Sequence, residues 1–487
     1  MKKTATNLLD CYILEPDKFG DERGYFSPYF IQNNLEQLGF KKVVQTNRSM
    51  SSKGVLRGLH FQKNPYCQAK IVEVIKGRAI DVVVDMRVDS PTYGQYTYVE
   101  LTDSNNKQLF VPRGFAHGFV ALEDDTVFQY LIDNDYAPKM EAGIAWNDPT
   151  ININWDRIMR ENGIEKPLLS PKDQKHPTIL ENKVIFKRNP EKYLITGYNG
   201  QLGYEIKKEL LSRGVKEENI LATDIGEMDI TKKDEVMKIV NEFKPDVIYH
   251  CAAWTAVDKA EDQKELVEKV NVLGSKNMSE AASSVGAKIV YLSTDYVFDG
   301  TKEGLYKPED EVNPKSVYGE TKFLGEEEIR KNPKHFIARI SWVFGINGKN
   351  FIRTMLNLAN NHKELTVVDD QIGSPTYTVD LANLLVDLSQ TDNYGTYHVT
   401  NEEYCSWADF AKYIFEYNHK DVKVKPVSTE EYLRITGTKQ AYRPRNSKLD
   451  KSKLDEIGLH RLPTWKDAVE RYSKELEEEQ LVLRRFK

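Results

Sequence analysis

Cysteine and long apolar runs are scarce in this 487-residue sequence. The four cysteines, Cys11, Cys67, Cys251 and Cys405, are far apart, and no CxxC pair occurs. This argues against a zinc ribbon and against a disulfide scaffold. No stretch approaches the roughly 18 apolar residues of a membrane span, and no apolar run follows the two N-terminal lysines as it does in a signal peptide. We therefore expect a cytoplasmic protein that is not bound to a membrane.

A surplus of basic residues is also missing. Lysine and arginine total 68 against 74 aspartates and glutamates, which gives a formal net charge of -6. Nucleic-acid binding needs basic side chains to neutralise phosphates, so we expect no nucleic-acid partner. The chain is too long for one hydrophobic core, which predicts a protein of several domains.

The N-terminal half has the pattern of an all-β domain. From Val55 to Ile132, short apolar stretches alternate with turn residues. Between Ile80 and Val88, apolar residues share one face of a strand, whereas Asp81, Asp85 and Arg87 share the other, which is the period of a β-strand. Many short strands predict a sandwich or a barrel, such as a jelly roll of the cupin-like kind.

The C-terminal half has the pattern of an α/β domain. Apolar strands alternate with amphipathic helical stretches, and the predicted strands are Tyr193–Thr196, Asn219–Asp224, Asp246–Ala253 and Lys288–Thr294. This alternation predicts a Rossmann, doubly wound parallel sheet followed by a small C-terminal substrate-binding region. The polar stretch from Glu181 to Glu191 separates the halves, so the predicted domains are residues 1–186 and 190–487.

A glycine-rich turn follows the first strand of the second domain. Glycines at 197, 200 and 203 permit a tight turn, and the helix after them offers its positive end to a pyrophosphate. Asp224 ends the next strand, where it either holds the hydroxyls of a cofactor ribose, which favours NADH, or caps a helix. The predicted cofactor-binding residues are Gly197, Asn199, Gly200, Gln201, Leu202, Gly203, Asp224, Ala252 and Ala253.

Tyr318 and Lys322 are four residues apart and lie on one face of a helix. An ammonium near a phenol stabilises tyrosinate, which makes the tyrosine a usable general acid near neutral pH. A surface pair is the alternative interpretation. The stretch from Ser293 to Phe298, at the carboxyl end of the fourth strand, favours the catalytic interpretation because parallel sheets bind ligands there.

These motifs resemble the extended short-chain dehydrogenase/reductase family, and within it dTDP-4-dehydrorhamnose reductase. The similar stretches are 199–203, 252–261, 293–300, 318–322, 341–345, 370–376 and 443–450. The resemblance implies that Tyr318 protonates the C4 oxygen as hydride arrives from NADPH or NADH, assisted by Lys322 and Thr294. It also implies sugar-nucleotide contacts by Asp295, Tyr296, Trp342, Asn350 and Arg443. Some relatives bind Mg²⁺ at a dimer contact, but no ligands for it are evident here.

Two histidines stand out in the N-terminal half, His60 and His117. Paired histidines in a jelly roll suggest a metal, but no third ligand follows at HxH spacing, so we predict no metal. Proton removal next to a ketone explains the residues better, with His60, Lys70 and Tyr130 as candidates. His117 is equally well interpreted as a structural histidine. Arg57 and His60 face opposite sides of a regular strand unless Gly58 introduces a bulge.

This half resembles dTDP-4-dehydrorhamnose 3,5-epimerase, a metal-independent jelly roll. The similar stretches are 19–26, 55–62, 90–95, 111–119 and 146–149. The resemblance implies that His60 is the base, oriented by Asp173, that Tyr130 is the acid on the opposite face of the sugar, and that Lys70 stabilises the enolate. It further implies that the substrate is bound by Arg23, Gln45, Asn47, Arg57, His117 and Tyr136.

Two departures from the family pattern bear on this assignment. Pro28 stands where the family usually has a glutamate that contacts the nucleotide, which leaves base selectivity open. The stretch before Ser170 is longer than usual, so Asp148 competes with Asp173 for the role of the catalytic carboxylate. Because aspartate before proline favours turns, we interpret Asp148 as a turn residue.

Together, the two halves predict a homodimeric, bifunctional enzyme that converts dTDP-4-dehydro-6-deoxyglucose into dTDP-L-rhamnose. The first domain inverts C3 and C5, and the second reduces C4. One alternative is a related deoxysugar route with another product. The other is that one half is a non-catalytic module.

Overall fold

The computed structural model describes residues 1–188 and 191–485, with side chains described as far as residue 479. The chain forms two compact units, Met1–Pro190 and Glu191–Lys487. Pro190, the predicted start of the second domain, and Lys487, its predicted end, lie outside the described residues.

The first unit is built from two antiparallel sheets. Its strands are β1 (Lys2–Ala5), β2 (Tyr12–Glu15), β3 (Phe19–Asp21), β4 (Gly24–Phe26), β5 (Gln45–Ser51), β6 (Leu56–Gln62), β7 (Lys70–Lys76), β8 (Arg78–Asp85), β9 (Tyr96–Thr102), β10 (Gln108–Val111), β11 (Phe115–Ala121), β12 (Thr126–Ile132) and β13 (Glu141–Gly143). One sheet has the order β1-β2-β10-β7-β12-β5 and the other β13-β6-β11-β8-β9. Helices α1 (Gln32–Glu36) and α2 (Trp155–Glu161) complete the unit. This is the predicted jelly roll.

Strand β8 shows where the interior lies. Ile80 and Val82 pack in a core cluster with Trp155 and Ile158, on the outside of their sheet. Val83 packs between the two sheets, and its face-mates Asp81 and Asp85 are fully buried. The polar face of β8 predicted from the sequence is therefore the interior of the barrel, not its solvent side, because the C-terminal segment of the unit covers the apolar face.

The strands of the second unit are β14 (Tyr193–Thr196), β15 (Ile220–Thr223), β16 (Val247–His250), β17 (Lys288–Thr294), β18 (His335–Ile340), β19 (Val343–Phe344), β20 (Glu364–Val368), β21 (Ile372–Gly373), β22 (Thr376–Tyr377), β23 (Gly395–His398), β24 (Cys405–Ser406) and β25 (Lys423–Val427). Six of them form a parallel sheet in the order β15-β14-β16-β17-β18-β23. The predicted fold class, a jelly roll followed by a Rossmann sheet, is confirmed.

The helices of this unit are α3 (Gln201–Ser212), α4 (Lys233–Phe243), α5 (Val257–Ala260), α6 (Lys264–Glu268), α7 (Gly274–Val285), α8 (Val317–Arg330), α9 (Phe351–Leu358), α10 (Thr378–Ser389), α11 (Trp407–Tyr417), α12 (Thr429–Thr436), α13 (Ser452–Glu456) and α14 (Trp465–Arg485). Residues of α9, α11 and α14 form a separate core cluster around Phe410, away from the parallel sheet. This cluster is the core of the small substrate-binding region. In the described ranges, no helix is both long and apolar enough to cross a membrane.

Candidate active sites

A cavity of about 470 Å³ opens into the jelly roll between its two sheets. Its walls bring together many of the residues selected from the sequence, and the lining includes Ser49, Arg57, His60, Lys70, His117, Tyr130, Ser170, Lys172 and Asp173. Arg23, Gln45, Asn47 and Tyr136 are not among the lining residues. The site combines a histidine, a lysine and a tyrosine from different strands around one space.

The His60–Asp173 pair is formed in the structure. Nε2 of His60 is hydrogen-bonded to Oδ1 of Asp173, and the hydroxyl of Ser170 donates to the other carboxylate oxygen at 2.9 Å. Burial disfavours the charged form of Asp173, but the hydrogen bonds from His60 and Ser170 outweigh it and lower the pKa of the carboxyl. A carboxylate in this position fixes the imidazole tautomer and leaves Nδ1 as the basic nitrogen.

Asp148, the competing carboxylate, is committed to the backbone. It accepts hydrogen bonds from the amides of Thr150, Ile151 and Ile179. It is therefore a turn residue, as the Asp-Pro sequence indicates.

The bulge expected at Gly58 is present. His60 pairs with His117 and Arg57 pairs with Phe119, so β6 contains one more residue than β11 between these two pairs. The backbone of Gly58 has a φ of 133°, and a Cβ there would lie 2.6 Å from Cα of Gly118. The extra residue lets Arg57 and His60 reach the same cavity.

His117 has its own carboxylate partner, which the sequence did not reveal. Nε2 of His117 lies 2.8 Å from Oδ2 of Asp81, and both residues are buried. Burial lowers the pKa of His117 and raises that of Asp81. Burial also lowers the pKa of Lys70 to about 8, opposed by the nearby charge of Asp81. The lysine is a half-buried cation at the cavity wall, which suits the stabilisation of an enolate oxygen.

Tyr130 lies on β12, in the sheet opposite to that of His60. Burial raises the pKa of its phenol, so the group carries its proton near neutral pH. Asn47 is its neighbour in register on β5 and accounts for one of its hydrogen bonds. A base on one wall and an acid on the other allow a proton to leave one face of a ring carbon and another to arrive on the opposite face.

The predicted residues outside the cavity have other contacts. Arg23 lies on the exposed hairpin of β3 and β4, where it pairs with Asp21. The amide of Gln45 donates to Asn47, and Tyr136 donates to Glu141 at 3.1 Å. Thus one chain on its own does not bring Arg23 to the cavity.

In the second unit, the predicted glycine turn joins β14 to α3. Gly197 has a φ of 66°, and a Cβ there would lie 2.7 Å from the amide nitrogen of Ala252. A Cβ on Gly203 would lie 2.5 Å from the carbonyl oxygen of Gly197. Gly197 and Gly203 are therefore required by close packing of the backbone. A cavity of about 420 Å³ beside them is lined by residues that include Asn199, Gly200, Gln201, Leu202 and Ala253. A glycine turn at the start of a helix is the arrangement with which Rossmann folds bind a dinucleotide, so we call this space the dinucleotide cavity.

Asp224 follows β15 and faces the glycine turn. Its carboxylate accepts a hydrogen bond from the amide of Asn199 at 3.1 Å and another from the amide of Ile225. It does not cap a helix, because the next helix, α4, begins at Lys233. In Rossmann folds, an acidic residue at about this distance after the glycine motif binds a ribose hydroxyl.

Tyr318 and Lys322 lie on α8, and both line the dinucleotide cavity. Burial raises the pKa of Tyr318, and Asp295 adds to this effect. Burial lowers the pKa of Lys322 to about 7, and its ammonium lies 4.0 Å from the ring centre of Tyr291. The expected lowering of the Tyr318 pKa by Lys322 is therefore not seen, because the ammonium is turned towards Tyr291. The phenol is protonated and suited to donate.

Asp295 lies between the dinucleotide cavity and a second cavity of about 280 Å³. Its carboxylate accepts hydrogen bonds from the hydroxyls of Thr294 at 2.9 Å and Ser447 at 2.5 Å. Burial raises its pKa to about 6. Ser447 was not selected from the sequence, because its motif gives no sign of this contact.

The second cavity also contains Tyr296, Trp342 and Arg443. Arg443 donates to the hydroxyl of Tyr296 at 3.0 Å, and the ring of Trp342 stacks on Trp407 with centres 3.8 Å apart. Arg443 also donates to both carboxylate oxygens of Asp258. These side chains offer a flat apolar surface, which suits a base, and a guanidinium that is paired with Asp258 in the structure.

Asn350 lies outside both cavities. It is the N-cap of α9, and its amide donates to the carbonyl of Gly345 and to the hydroxyl of Tyr472. The helix cap and Tyr472 use its side chain, and its predicted contact with substrate stays a prediction. The neighbouring Asn347 donates instead to the carbonyl of Asn199 in the glycine turn.

The two sites define an acid–base isomerase joined to a nicotinamide-dependent oxidoreductase. Comparison with known proteins agrees for both units. The family model described as dTDP-4-dehydrorhamnose 3,5-epimerase matches residues 5–181, and that described as RmlD substrate binding domain matches residues 191–478. The chain belongs to both of these families, which confirms the resemblance seen in the sequence.

Individual relatives cover each unit almost completely. The dTDP-4-dehydrorhamnose reductase of Aggregatibacter actinomycetemcomitans is 42% identical over 289 residues, spanning 57% of this chain and 96% of that protein. The dTDP-4-dehydrorhamnose 3,5-epimerase of Shigella flexneri is 46% identical over 175 residues, spanning 36% of this chain and 93% of that protein. The crystal structure of dTDP-4-dehydrorhamnose reductase from Bacillus anthracis in complex with NADP is 41% identical, with a TM-score of 0.56, and covers 59% of this chain and all of that one.

Proposed function

We propose that this chain is a bifunctional enzyme of dTDP-L-rhamnose synthesis. The first unit epimerises dTDP-4-dehydro-6-deoxyglucose at C3 and C5, and the second reduces the C4 ketone of the product. The observation that carries the proposal is the presence of a complete acid–base set in the first unit and of a Tyr/Lys pair beside a dinucleotide cavity in the second. Fusion keeps the ketone intermediate locally concentrated for the second step.

In the epimerase unit, Nδ1 of His60 removes the proton next to the C4 ketone. The electron pair moves to the C4 oxygen, and the ammonium of Lys70 stabilises the resulting enolate. Tyr130, on the opposite wall, returns a proton to the other face of the carbon. Asp173 stabilises the imidazolium that forms on His60, because its carboxylate already accepts the Nε2 hydrogen bond.

In the reductase unit, a bound nicotinamide supplies the hydride that reaches C4. Tyr318 donates its phenolic proton to the C4 oxygen. Thr294, whose hydroxyl donates to Asp295 in the structure, reorients that hydroxyl to donate to the same C4 oxygen when the substrate binds. Lys322 holds the nicotinamide ribose. Asp295, Tyr296, Trp342 and Arg443 hold the sugar nucleotide in the second cavity.

We further propose NADH as the preferred cofactor. Asp224 is an anion at the ribose position, and a 2′-phosphate brings a second negative charge to it. The relative from Bacillus anthracis was solved with NADP, so use of both cofactors is part of the proposal. Mg²⁺, which the family resemblance suggested at a dimer contact, is not included in the proposal.

The remaining assignments are a homodimer and a cytoplasmic location. The hairpin of β3 and β4 exposes Phe19, Tyr25 and Phe26 by 61% or more, and such an apolar surface is typical of an interface. The four cysteines are free, as is usual in a reducing compartment. Light scattering at several protein concentrations tests the dimer.

The direct experiment incubates the full-length chain with dTDP-4-dehydro-6-deoxyglucose and NADH, and identifies the product by NMR. The proposal expects dTDP-L-rhamnose, with inversion at both C3 and C5. A product inverted at one carbon supports the related deoxysugar route, which Pro28 favours. Reduction without inversion means that the first unit is a non-catalytic module.

A further inference from the structure

His176 is a third potential ligand beside the catalytic pair of the epimerase unit. One ring nitrogen of His176, one carboxylate oxygen of Asp173 and one ring nitrogen of His60 form the one group of three close potential metal ligands that residues 1–188 and 191–485 contain, and these three atoms lie within 4.8 Å of one another. Nε2 of His176 lies 3.8 Å from Oδ1 of Asp173. The sequence shows no HxH motif at this site, since His60 is far along the chain from Asp173 and His176 and only the fold brings them together.

The nitrogen of His176 has no other use in the structure. The side chain is nine-tenths buried, and its Nε2 has no hydrogen-bond partner. The ring of His60 stands nearly perpendicular to it, at 73°, with centres 5.5 Å apart. A buried polar atom without a hydrogen-bond partner lowers the stability of the fold. A ligand bound between His176, Asp173 and His60 would give this nitrogen a partner.

We infer that His60, Asp173 and His176 bind a divalent transition-metal ion, such as Zn²⁺, that inhibits the epimerase unit. Two imidazole nitrogens and one carboxylate are a ligand set that Zn²⁺ favours, and the cavity beside His60 leaves room for a water as fourth ligand. Ser170 already holds the second oxygen of Asp173, as outer partners of metal ligands do. This site goes beyond the proposed function, which needs no metal.

Inhibition follows from the chemistry of imidazole. A neutral ring has one protonated and one basic nitrogen. An ion on Nε2 of His60 displaces the proton shared with Asp173, and the remaining ring proton then resides on Nδ1. Nδ1 is the atom that must accept the proton from the substrate, so the metal-bound histidine is not a base. The reductase unit contains none of these ligands and keeps its activity.

The test measures Zn²⁺ binding to the full-length chain by competition with a chromophoric chelator. We expect one Zn²⁺ per chain, and a loss of affinity of at least about tenfold in His176→Gln, the scale of damage to a metal site. His362→Gln, at an exposed histidine of the other unit, is the matched control and binds as wild type does. His176→Asn, checked by circular dichroism, guards against misfolding of the first variant.

A second readout is the exchange of substrate hydrogens with D₂O, followed by NMR without nicotinamide. Saturating Zn²⁺ stops exchange in wild type but not in His176→Gln, whereas reduction of pre-epimerised substrate continues in both. Equal Zn²⁺ affinity in wild type and both His176 variants overturns the site. Full exchange in the Zn²⁺-saturated wild type overturns the inhibition. If the wild type shows no exchange even without Zn²⁺, the proposed epimerase activity is wrong. The binding measurement then still decides whether the metal site exists.

Discussion

His60 and His117 are register partners on neighbouring strands, and each is bonded to a different carboxylate. His60 pairs with Asp173, near the cavity mouth, and its side chain is 28% exposed. His117 pairs with Asp81 in the barrel interior and is 7% exposed. Their different exposure separates their roles: His60 can meet a substrate carbon, whereas His117 is held by Asp81, whose negative charge acts on Lys70.

The first prediction concerns the bulge. Replacing Gly58 by alanine places a Cβ 2.6 Å from Cα of Gly118, at a φ of 133°. We expect Gly58→Ala to lower the free energy of unfolding of the jelly-roll unit by more than about 2 kcal/mol, since steric overlap adds to the backbone cost. Epimerisation is lost and reduction is kept. Calorimetry of the full chain measures the first effect, and the two assays measure the second.

Gly39→Ala is the matched control for this change. Gly39 also has a positive φ, 85°, but a Cβ there has no neighbour within 4 Å. It therefore carries only the backbone cost. If Gly58→Ala is as stable as Gly39→Ala and remains an active epimerase, the bulge does not position Arg57 and His60.

The second prediction is a pH dependence governed by Lys70. Its pKa is about 8, so the cation is present below pH 8 and is lost as the pH rises through that value. The negative charge of Asp81 is the largest effect that raises the pKa of Lys70 against burial. Asp81→Asn therefore lowers the pKa of Lys70 further. The descending limb of the epimerisation profile moves to lower pH, as followed by D₂O exchange.

Glu141→Gln provides the graded comparison, because Glu141 acts on Lys70 in the same direction but more weakly than Asp81. We expect a smaller shift of the same sign. An unchanged limb in Asp81→Asn, or one that moves to higher pH, contradicts the assignment of Lys70 as the stabilising cation.

The third prediction sets stability against activity in the reductase unit. Burial lowers the folded-state pKa of Lys322 from 10.5 to about 7. The folded state therefore binds fewer protons than the unfolded state between about pH 7 and 10.5. The loss of stability caused by burying the charged lysine is largest below about pH 7 and shrinks as the pH rises towards 10.5. Lys322→Met removes this cost.

We expect Lys322→Met to raise the free energy of unfolding by on the order of a few kcal/mol at pH 6, with the gain shrinking towards pH 9. Glu326 is not left unpaired, since Arg339 donates to both of its oxygens. Reduction is lost at every pH. Denaturant unfolding of the full chain measures the stability, and a variant that is less stable at pH 6 contradicts the account.

The fourth prediction concerns cofactor choice. Asp224→Ala removes the anion beside the ribose position, so the preference for NADH over NADPH, measured as the ratio of kcat/KM values, falls by at least about tenfold, or about 1.4 kcal/mol. Glu227→Gln is the control, because Glu227 accepts only from the backbone amide of Asp224. A ratio that is unchanged in Asp224→Ala removes this residue from cofactor selection.

Local sequence patterns were sufficient to predict the architecture. The period of two around Ile80 gave the strand, and the predicted strands at Tyr193 and Lys288 match β14 and β17. The Gly58 bulge also followed, because Arg57 and His60 share a cavity only if the strand gains a residue.

Long-range pairing was beyond these patterns. Asp81 was predicted on the polar face of a strand, but only the closure of the barrel shows that this face is the interior and meets His117. Ser447 meets Asp295 across 152 positions of chain. The cap that Asn350 forms at the start of α9 was also not evident from its motif.

The most direct test of two active sites in one chain is complementation between full-length variants. His60→Ala lacks the base of the first unit, and Tyr318→Phe lacks the acid of the second. With dTDP-4-dehydro-6-deoxyglucose, the account predicts that each variant alone oxidises NADH at least about a hundredfold more slowly than wild type, and that a mixture of the two restores turnover. If His60→Ala alone oxidises NADH as fast as wild type, reduction does not depend on epimerisation and the account is wrong.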